Sequence, residues 1–182
     1  TVSLTEVYDA FAHALPDGPD DSNGLAMANS RARLRMTTLY ALGQRSKALV
    51  VGTGNRVEDF GVGFFTKYGD GGVDLSPIAD LSKTEVFALG KHVGIIDSIQ
   101  QAAPTDGLWG DDRTDEDQLG ATYPELEWAM NWERIHLSEM ESVKQKAEEE
   151  LAWRQKEVLK IYRRHHHVNR HKMVPIPVCE IP

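Results

Sequence analysis

Apolar residues along this chain keep mostly to a helical period. In residues 4–15 (LTEVYDAFAHAL), Leu4, Val7, Phe11 and Leu15 fall three or four apart, and Ser3 with Glu6 three residues on reads as a capping box. From Leu25 to about Arg45, alanine, methionine and leucine recur between arginines. That spacing predicts a second helix with Arg31 and Arg35 on one face and Arg33 turned away. KTEVFALGKHV (83–93) predicts another helix. A long helix is expected from about Asn131 to Arg164, with Leu137, Met140, Val143, Ala147, Leu151, Val158 and Ile161 as its stripe. It should end in the basic, His-rich HHHVNRHK before a proline-broken VPIPVCEIP.

Strand signals are few. ALVVGTGN (48–55) is a continuous apolar run ending in glycines, which predicts a buried parallel strand. A loop and a short helical segment follow it. VDLSPI (73–78) reads as a brief strand closed by Pro77. PDGPDDSNG (16–24) is dense in turn formers and predicts a loop. APTDGLWGDDRTDEDQLG (103–120) is acidic and unpatterned, a long loop of the kind that is usually functional or disordered. Helices alternating with short buried strands predict an α/β fold with a parallel sheet.

Composition narrows the function classes. A chain of 182 residues suffices for one domain with a real core. The formal charge of −8 argues against a nucleic-acid or membrane-surface partner, either of which needs a basic face. No apolar run approaches the length of a membrane span. The single cysteine, Cys179, excludes an internal disulfide framework and fits a reducing cytoplasm. A chain that opens at Thr1 and runs almost at once into an amphipathic pattern reads as a fragment or a processed chain.

Several residues are candidates for chemistry, each with a plainer alternative. Thr53, at the end of the VVGTGN strand, is placed to donate to a phosphate or a purine, and Glu58 five residues on to hold a divalent cation. The plainer reading is a strand ending in a tight turn; no Gly-Lys-Ser/Thr follows, so this is not a P-loop. In FTKYGDGG, Lys67 and Asp70 bracket a glycine turn with Asp74 just beyond, a charge cluster suited to a ligand with hydroxyls and phosphates. An exposed turn explains the charges but not the adjoining Phe64–Phe65 pair. Lys83, at the start of a helix, suits a phosphate helped by the helix dipole, or is a surface lysine. Thr105, Asp115, Glu116 and Asp117 belong to a lid over a nucleotide or to a solvated loop. His167 and His171 have the spacing of metal ligands on one helix turn, but no third ligand is evident. Cys179 has no nearby partner for thiol chemistry. These residues alone reach a phosphate- or nucleotide-binding α/β domain, not a reaction.

Four ordered motifs go further. GTGNRVEDFGVGFFTKYGDGGVDLSPIADLSKTEV (52–86), NSRARLRM (29–36), PTDGLW…TDEDQLG (104–120) and NRHKMVPIP (169–177) together resemble the NAD synthetases, and the compact spacing is similar to that of the ammonia-dependent type. The resemblance implies an adenine nucleotide α-hydrolase-like three-layer sandwich with a parallel sheet. It implies homodimers with active sites near the dimer interface. It also implies a reaction in which ATP and magnesium adenylate the nicotinate carboxylate of deamido-NAD and ammonia then displaces AMP to give NAD. By resemblance, Thr53, Lys83 and Thr105 match ATP-contacting positions, Thr105 lying in a mobile loop that closes over the site. Glu58 matches the magnesium ligand, and Arg33, Lys67, Asp74, His171 and Lys172 match positions that bind deamido-NAD. The organisation then expected is one partial synthetase domain over 1–182. Residues 1–130 would be its nucleotide-binding part, with the mobile loop at about 103–120, and 131–182 its C-terminal helix and basic tail.

The resemblance has one departure. The family's Ser-Gly-Gly-x-Asp-Ser loop, which wraps the ATP pyrophosphate, is not among the 182 residues and is expected upstream of Thr1. The sheet would then lack its leading strands and show an unpaired edge. Two alternatives stand beside the ammonia-dependent enzyme. One is a non-catalytic module that binds nucleotide or dimerises, and the other is the synthetase half of a glutamine-dependent enzyme.

Overall fold

The computed structural model describes residues 1–16, 24–111 and 113–181. Most of the loop expected at 16–24 therefore lies outside the described residues. The chain forms two units, Thr1–Gly54 with Phe65–Pro77 and Asp106–Asp112, and Asn55–Phe64 with Ile78–Thr105 and Arg113–Pro182.

The first unit carries two helices, α1 (Thr5–Ala14) and α2 (Leu25–Ser46). α1 forms where its period predicts, but Leu4 occupies the cap and Ser3 Oγ turns to Thr5 Oγ1 at 3.3 Å. The helix starts one residue later than the expected box needs, so Glu6 sits at the second helical position rather than the third and the reciprocal bonds do not form. Val7, Phe11 and Leu15 remain exposed. α2 buries Ala28 and Ala32 and closes on Lys47, whose left-handed backbone (φ 54°) returns its N–H to Gln44 and Gly43.

The expected strands shrink to one parallel bridge, Val51 with Leu75, the only β pairing among the described residues. Asp74 N–H donates to Val50 O at 2.9 Å and Gly52 N–H to Leu75 O at 2.8 Å, so the two segments do run side by side. The run is not buried on both faces, contrary to its continuous apolar pattern. Val50 and Gly52 point inward, whereas Leu49 (67% exposed) and Val51 (54%) point outward. Among the described residues the pairing stops at this one bridge, and the outward residues of the run stay uncovered. Gly52 is required by packing, because a Cβ would lie 2.9 Å from both Val73 and Ser76 side chains.

The second unit is helical. A π-helix (Val57–Val62) is followed by α3 (Lys83–His92), α4 (Asp97–Gln100), α5 (Asp115–Leu119), α6 (Tyr123–Ile135), α7 (Glu141–Glu149) and α8 (Trp153–Met173). Its core is built where the π-helix, α6 and α8 meet, from Val57, Val62, Leu126, Trp132, Val158, Leu159 and Tyr162, with Leu119 of α5 packed in. Tyr123, Leu126 and Ala129 recur every three residues on α6 and supply that helix's inner stripe.

Two expectations are corrected here. The single helix from Asn131 to Arg164 is three helices, interrupted at 136–140 and 150–152. Leu137 and Met140, read as core positions, are 81% and 72% exposed. At the first break the His136 ring stacks on Trp132 at 4.1 Å and its Nδ1 bonds Trp132 O at 2.8 Å. α7 is then tied to both neighbours through charge. Glu133 of α6 accepts from Lys144 (2.7 Å) and from Arg163 of α8 (2.6 Å), and Arg163 also reaches Glu148 (3.0 Å). Burial alone would raise the Glu133 carboxyl, but these two cations hold it below its ordinary range. α8 also continues nine residues past Arg164 to Met173, so the His-rich segment is helix rather than tail.

The acidic stretch at 103–120 is not unpatterned throughout. Its end is α5, opened by a capping box between Thr114 and Asp117 and anchored by Leu119 (1% exposed). Asp106, Leu108 and Trp109, by contrast, belong to the first unit.

Candidate functional site

In the first unit two of the sequence motifs dock on each other. Residues 29, 32, 33 and 36 share one face of α2, and each meets the turn at 66–72. Asn29 Oδ1 accepts from Thr66 Oγ1 at 2.6 Å; Ala32 lies under Gly69, where a Cβ would be 2.9 Å away. Arg33 Nε donates to Lys67 O at 3.2 Å, and Met36 lies against Gly72. The turn itself is held by Asp70, whose Oδ1 accepts from Thr66 N–H at 2.9 Å. Tyr68 adopts φ 63° there, uncommon for a bulky residue, and Lys67 Nζ sits 5.6 Å from its ring. One turn further along α2, Tyr40 donates to Asp74 Oδ1 at 3.1 Å, while Asp74 Oδ2 accepts from Val50 N–H at 2.8 Å.

The structure thus brings Arg33 and Lys67 together, and gives Asp74 a structural duty that its sequence position did not reveal. Thr53 is exposed, two residues past the bridge. Arg31 and Arg35, on the opposite side of α2 from Arg33 as their spacing predicts, donate to Leu108 O (2.7 Å) and Gly107 O (3.5 Å). Asp106 in turn accepts from Leu108 N–H and Trp109 Nε1.

In the second unit Glu58 and Lys83 meet. Lys83 Nζ is 2.9 Å from Glu58 Oε1, and both side chains are largely covered. The same Oε1 accepts a short hydrogen bond from the Tyr123 hydroxyl, which also lies 3.1 Å from Asp115 Oδ2. Lys83 Nζ stands 4.8 Å above the Tyr123 ring. Burial, followed by the charges of Glu58 and then Asp115, drives the Tyr123 phenol far above its ordinary range, so it is a neutral donor at any working pH. The four residues come from four elements: the π-helix, α3, α5 and α6. Sequence reasoning singled out Glu58 and Lys83, placed Asp115 in a lid or a solvated loop, and did not single out Tyr123. The available signal was the capping box of Thr122 and Glu125, which places Tyr123 at the first position of a helix.

Each element has a local reason for its position. Asn55, 2% exposed, accepts from the N–H groups of Val57 (3.0 Å) and Glu58 (3.1 Å) and so starts the π-helix. At its other end three successive carbonyls are capped from one face of α8. His166 Nδ1 donates to Gly61 O (2.7 Å), Asn169 Nδ2 to Val62 O (2.8 Å) and Lys172 Nζ to Gly63 O (2.9 Å). Lys172 therefore bears on the same segment that carries Glu58, while His171, next to it, is exposed. α3 opens with a capping box of Ser82 and Glu85. Thr84 N–H donates to Glu127 at 2.9 Å and Glu85 N–H to Ser82 Oγ at 3.3 Å, so two amides of the first turn are bonded to side chains of the chain itself. Thr105 is exposed, with Oγ1 3.4 Å from Arg113 O.

The donor chemistry suits a hard cation, with a limit. Glu58 offers oxygen, but among the described residues no group of three or more His, Cys, Asp or Glu is placed to hold a metal ion. A magnesium ion here would need phosphate and water oxygens as its remaining ligands, which is its usual habit in nucleotide sites. Among the described residues, no helix is long and apolar enough to cross a membrane.

The chain is 44% identical over 126 residues to the NH(3)-dependent NAD(+) synthetase of Mesoplasma florum, covering 69% of this chain and 51% of that protein. It is 46% identical over 127 residues to the protein of that name from Carboxydothermus hydrogenoformans, with the same coverage. The chain thus spans about half the length of these curated relatives. Among solved structures, an NMN synthetase from Francisella tularensis matches with a TM-score of 0.73 and 29% identity, over 99% of this chain and 66% of that one. The family model described as NAD synthase matches residues 1–175, and the chain belongs to that family.

Proposed function

We propose that this chain carries part of the active site of an ammonia-dependent NAD synthetase. The protein would use ATP and magnesium to convert deamido-NAD into NAD, AMP and pyrophosphate. The single observation that carries the reading is the contact of Glu58 with Lys83, two residues 25 positions apart, in a chain of this family. A free carboxylate is a poor acyl donor, so one of its oxygens must first become a phosphate leaving group. The nicotinate oxygen attacks the α-phosphorus of ATP and pyrophosphate departs. Ammonia then attacks the carbonyl carbon of the acyl-adenylate, the bond to AMP breaks, and the nitrogen loses a proton.

The residues divide the work of holding two anionic nucleotides. Lys83 supplies a point charge for the phosphates of ATP, and by motif resemblance Thr53 and Thr105 match ATP-contacting hydroxyls. Glu58 would hold magnesium, which supplies charge neutralisation of the pyrophosphate. Arg33 and Lys67, side by side at one turn, bind deamido-NAD, and by motif resemblance Asp74, His171 and Lys172 match further positions that bind it. An adenine nucleotide α-hydrolase-like sandwich and a homodimer belong to the same reading, supported by the motif resemblance, and a cytoplasmic location is supported by the single cysteine. The match to the Francisella protein favours a second acyl substrate, nicotinate mononucleotide.

The test is turnover by the intact protein with ATP, magnesium and ammonium, offered deamido-NAD or nicotinate mononucleotide. Amide and AMP should form together, and Glu58→Ala and Lys83→Ala should each cut the rate by roughly a hundredfold or more, the scale of losing one preorganised charge, without loss of fold. Near-normal turnover in both variants would sink the assignment. Glutamine supporting turnover as well as ammonium would transfer the protein to the glutamine-dependent type.

A further inference from the structure

Tyr123 is joined to its surroundings more fully than a packing residue needs to be. Its ring lies in the core, 3% exposed. Its N–H donates to Glu116 Oε1 at 2.8 Å, and its hydroxyl faces Asp115 Oδ2 at 3.1 Å, so two consecutive residues of α5 hold it at both ends. The hydroxyl proton is given to Glu58 Oε1, the oxygen that also receives Lys83. Among the described residues, the side-chain hydrogen bonds of Glu58 fall on Oε1 and none on Oε2. α5 is seated in turn by Asp115 N–H donating to Pro104 O at 3.0 Å, so the base of the acidic segment and the Glu58–Lys83 pair meet at one phenol.

We propose that Tyr123 is a positioning residue. By donating to Glu58 Oε1 it fixes the direction of Oε2 toward a magnesium ion carried by ATP, and through Asp115 and Glu116 it makes that direction depend on α5 being seated. The inference rests on the role proposed above for Glu58. The physical reason is that a carboxylate held only by a flexible lysine rotates about its last torsion. A second donor, fixed to a rigid helix, removes that freedom before the cation arrives. Phenylalanine at 123 keeps the ring and the Lys83 contact and removes only the donor.

The experiment uses the intact protein and measures Mn2+ binding by electron paramagnetic resonance, with a non-hydrolysable ATP analogue present. Magnesium activation and the KM for the nicotinate substrate are measured alongside. Tyr123→Phe should weaken Mn2+ binding about tenfold, the scale of one hydrogen bond to a charged group, and raise the magnesium concentration for half-maximal turnover by the same factor. The KM for the nicotinate substrate and the melting temperature should hardly move. Asp115→Asn, which keeps the phenol, should weaken Mn2+ binding in the same direction, and the double variant should be no worse than Tyr123→Phe alone. Wild-type Mn2+ affinity in Tyr123→Phe, or an equal loss in every parameter together with a lowered melting temperature, would overturn the proposal. Should Tyr123→Phe not fold, wild-type affinity in Asp115→Asn overturns it instead. Glu58→Ala separates the two levels. If it also binds Mn2+ normally, the metal assignment beneath has failed; if it alone loses binding, only the positioning role has.

Discussion

Replacing Gly63 by alanine should be among the costlier single-methyl additions this chain can suffer, and its cost can be divided into parts. Gly63 ends the π-helix with φ 63°, a backbone conformation that costs a residue with a Cβ about 1–2 kcal/mol. The added Cβ would lie 2.5 Å from Asn169 Cβ. That atom is the root of a side chain, so no rotamer change moves it and α8 itself must shift. The shift breaks the bonds from Asn169 to Val62 O and from Lys172 to Gly63 O, each worth about 1 kcal/mol. Together the terms reach about 3–4 kcal/mol, or roughly 6–16 °C in melting temperature for a chain of this length.

Gly94 is the control. Its φ of 79° carries the same conformational penalty, but a Cβ there meets nothing within 4 Å. Gly94→Ala should therefore cost only about 1–2 kcal/mol. Urea unfolding of the two variants in the intact protein, read as a change in midpoint at constant slope, isolates the steric and hydrogen-bond part by difference. Equal losses in the two variants would refute the argument, because they would mean that α8 does not brace the carbonyls of the π-helix.

Two further outcomes test the packing and the electrostatics of the second unit. Leu126→Ala removes a fully buried side chain and should cost about 2–5 kcal/mol in urea unfolding, whereas Leu137→Ala, in the break after α6, should stay within about 0.5 kcal/mol. Comparable losses would restore the uninterrupted helix. The fork of Arg154 on Glu125, then the Thr122 cap, holds the Glu125 carboxyl at about 2 against an ordinary value of 4.5. A folded-state value below the unfolded one means that this contribution is complete above about pH 4.5 and fades as pH falls toward 2. Urea midpoints across that window should fall less steeply in Glu125→Gln than in the parent, and parallel curves would remove the pair from the acid sensitivity of the fold.

Helices with a strong apolar period were legible as sequence: α2 and α3 begin and end close to where pattern and cap place them. The long C-terminal stripe misled because three- and four-residue spacing survives a break whose length preserves the phase. Nothing in Leu137 or Met140 marks them as exposed, and the break they fall in follows a C-cap at His136, whose ring stacks on Trp132. The strand at 48–51 misled for the opposite reason. An apolar run reports what a segment prefers, whereas a ladder requires a neighbour, and among the described residues 73–75 is the one that supplies it.

The candidate site was legible where a residue's chemistry is its own, and hidden where it is borrowed. Glu58 and Lys83 stand in motifs and announce a carboxylate and an ammonium. Tyr123 stands in a helix start that reads as core, and only the approach of Asp115 and Glu58 to its hydroxyl makes it polar in effect. The dense motifs at 29–36 and 65–72 carry a related lesson. Asn29 with Thr66, Ala32 with Gly69 and Met36 with Gly72 are explained by one motif docking on the other. Much of the motif's specificity is therefore spent on register, and that register brings Arg33 against the backbone of Lys67. A change at Ala32 or Gly69 should then impair ligand binding as surely as the loss of a cation, because a Cβ at Gly69 would press on Thr66 and Ala32 and move the turn that carries Lys67.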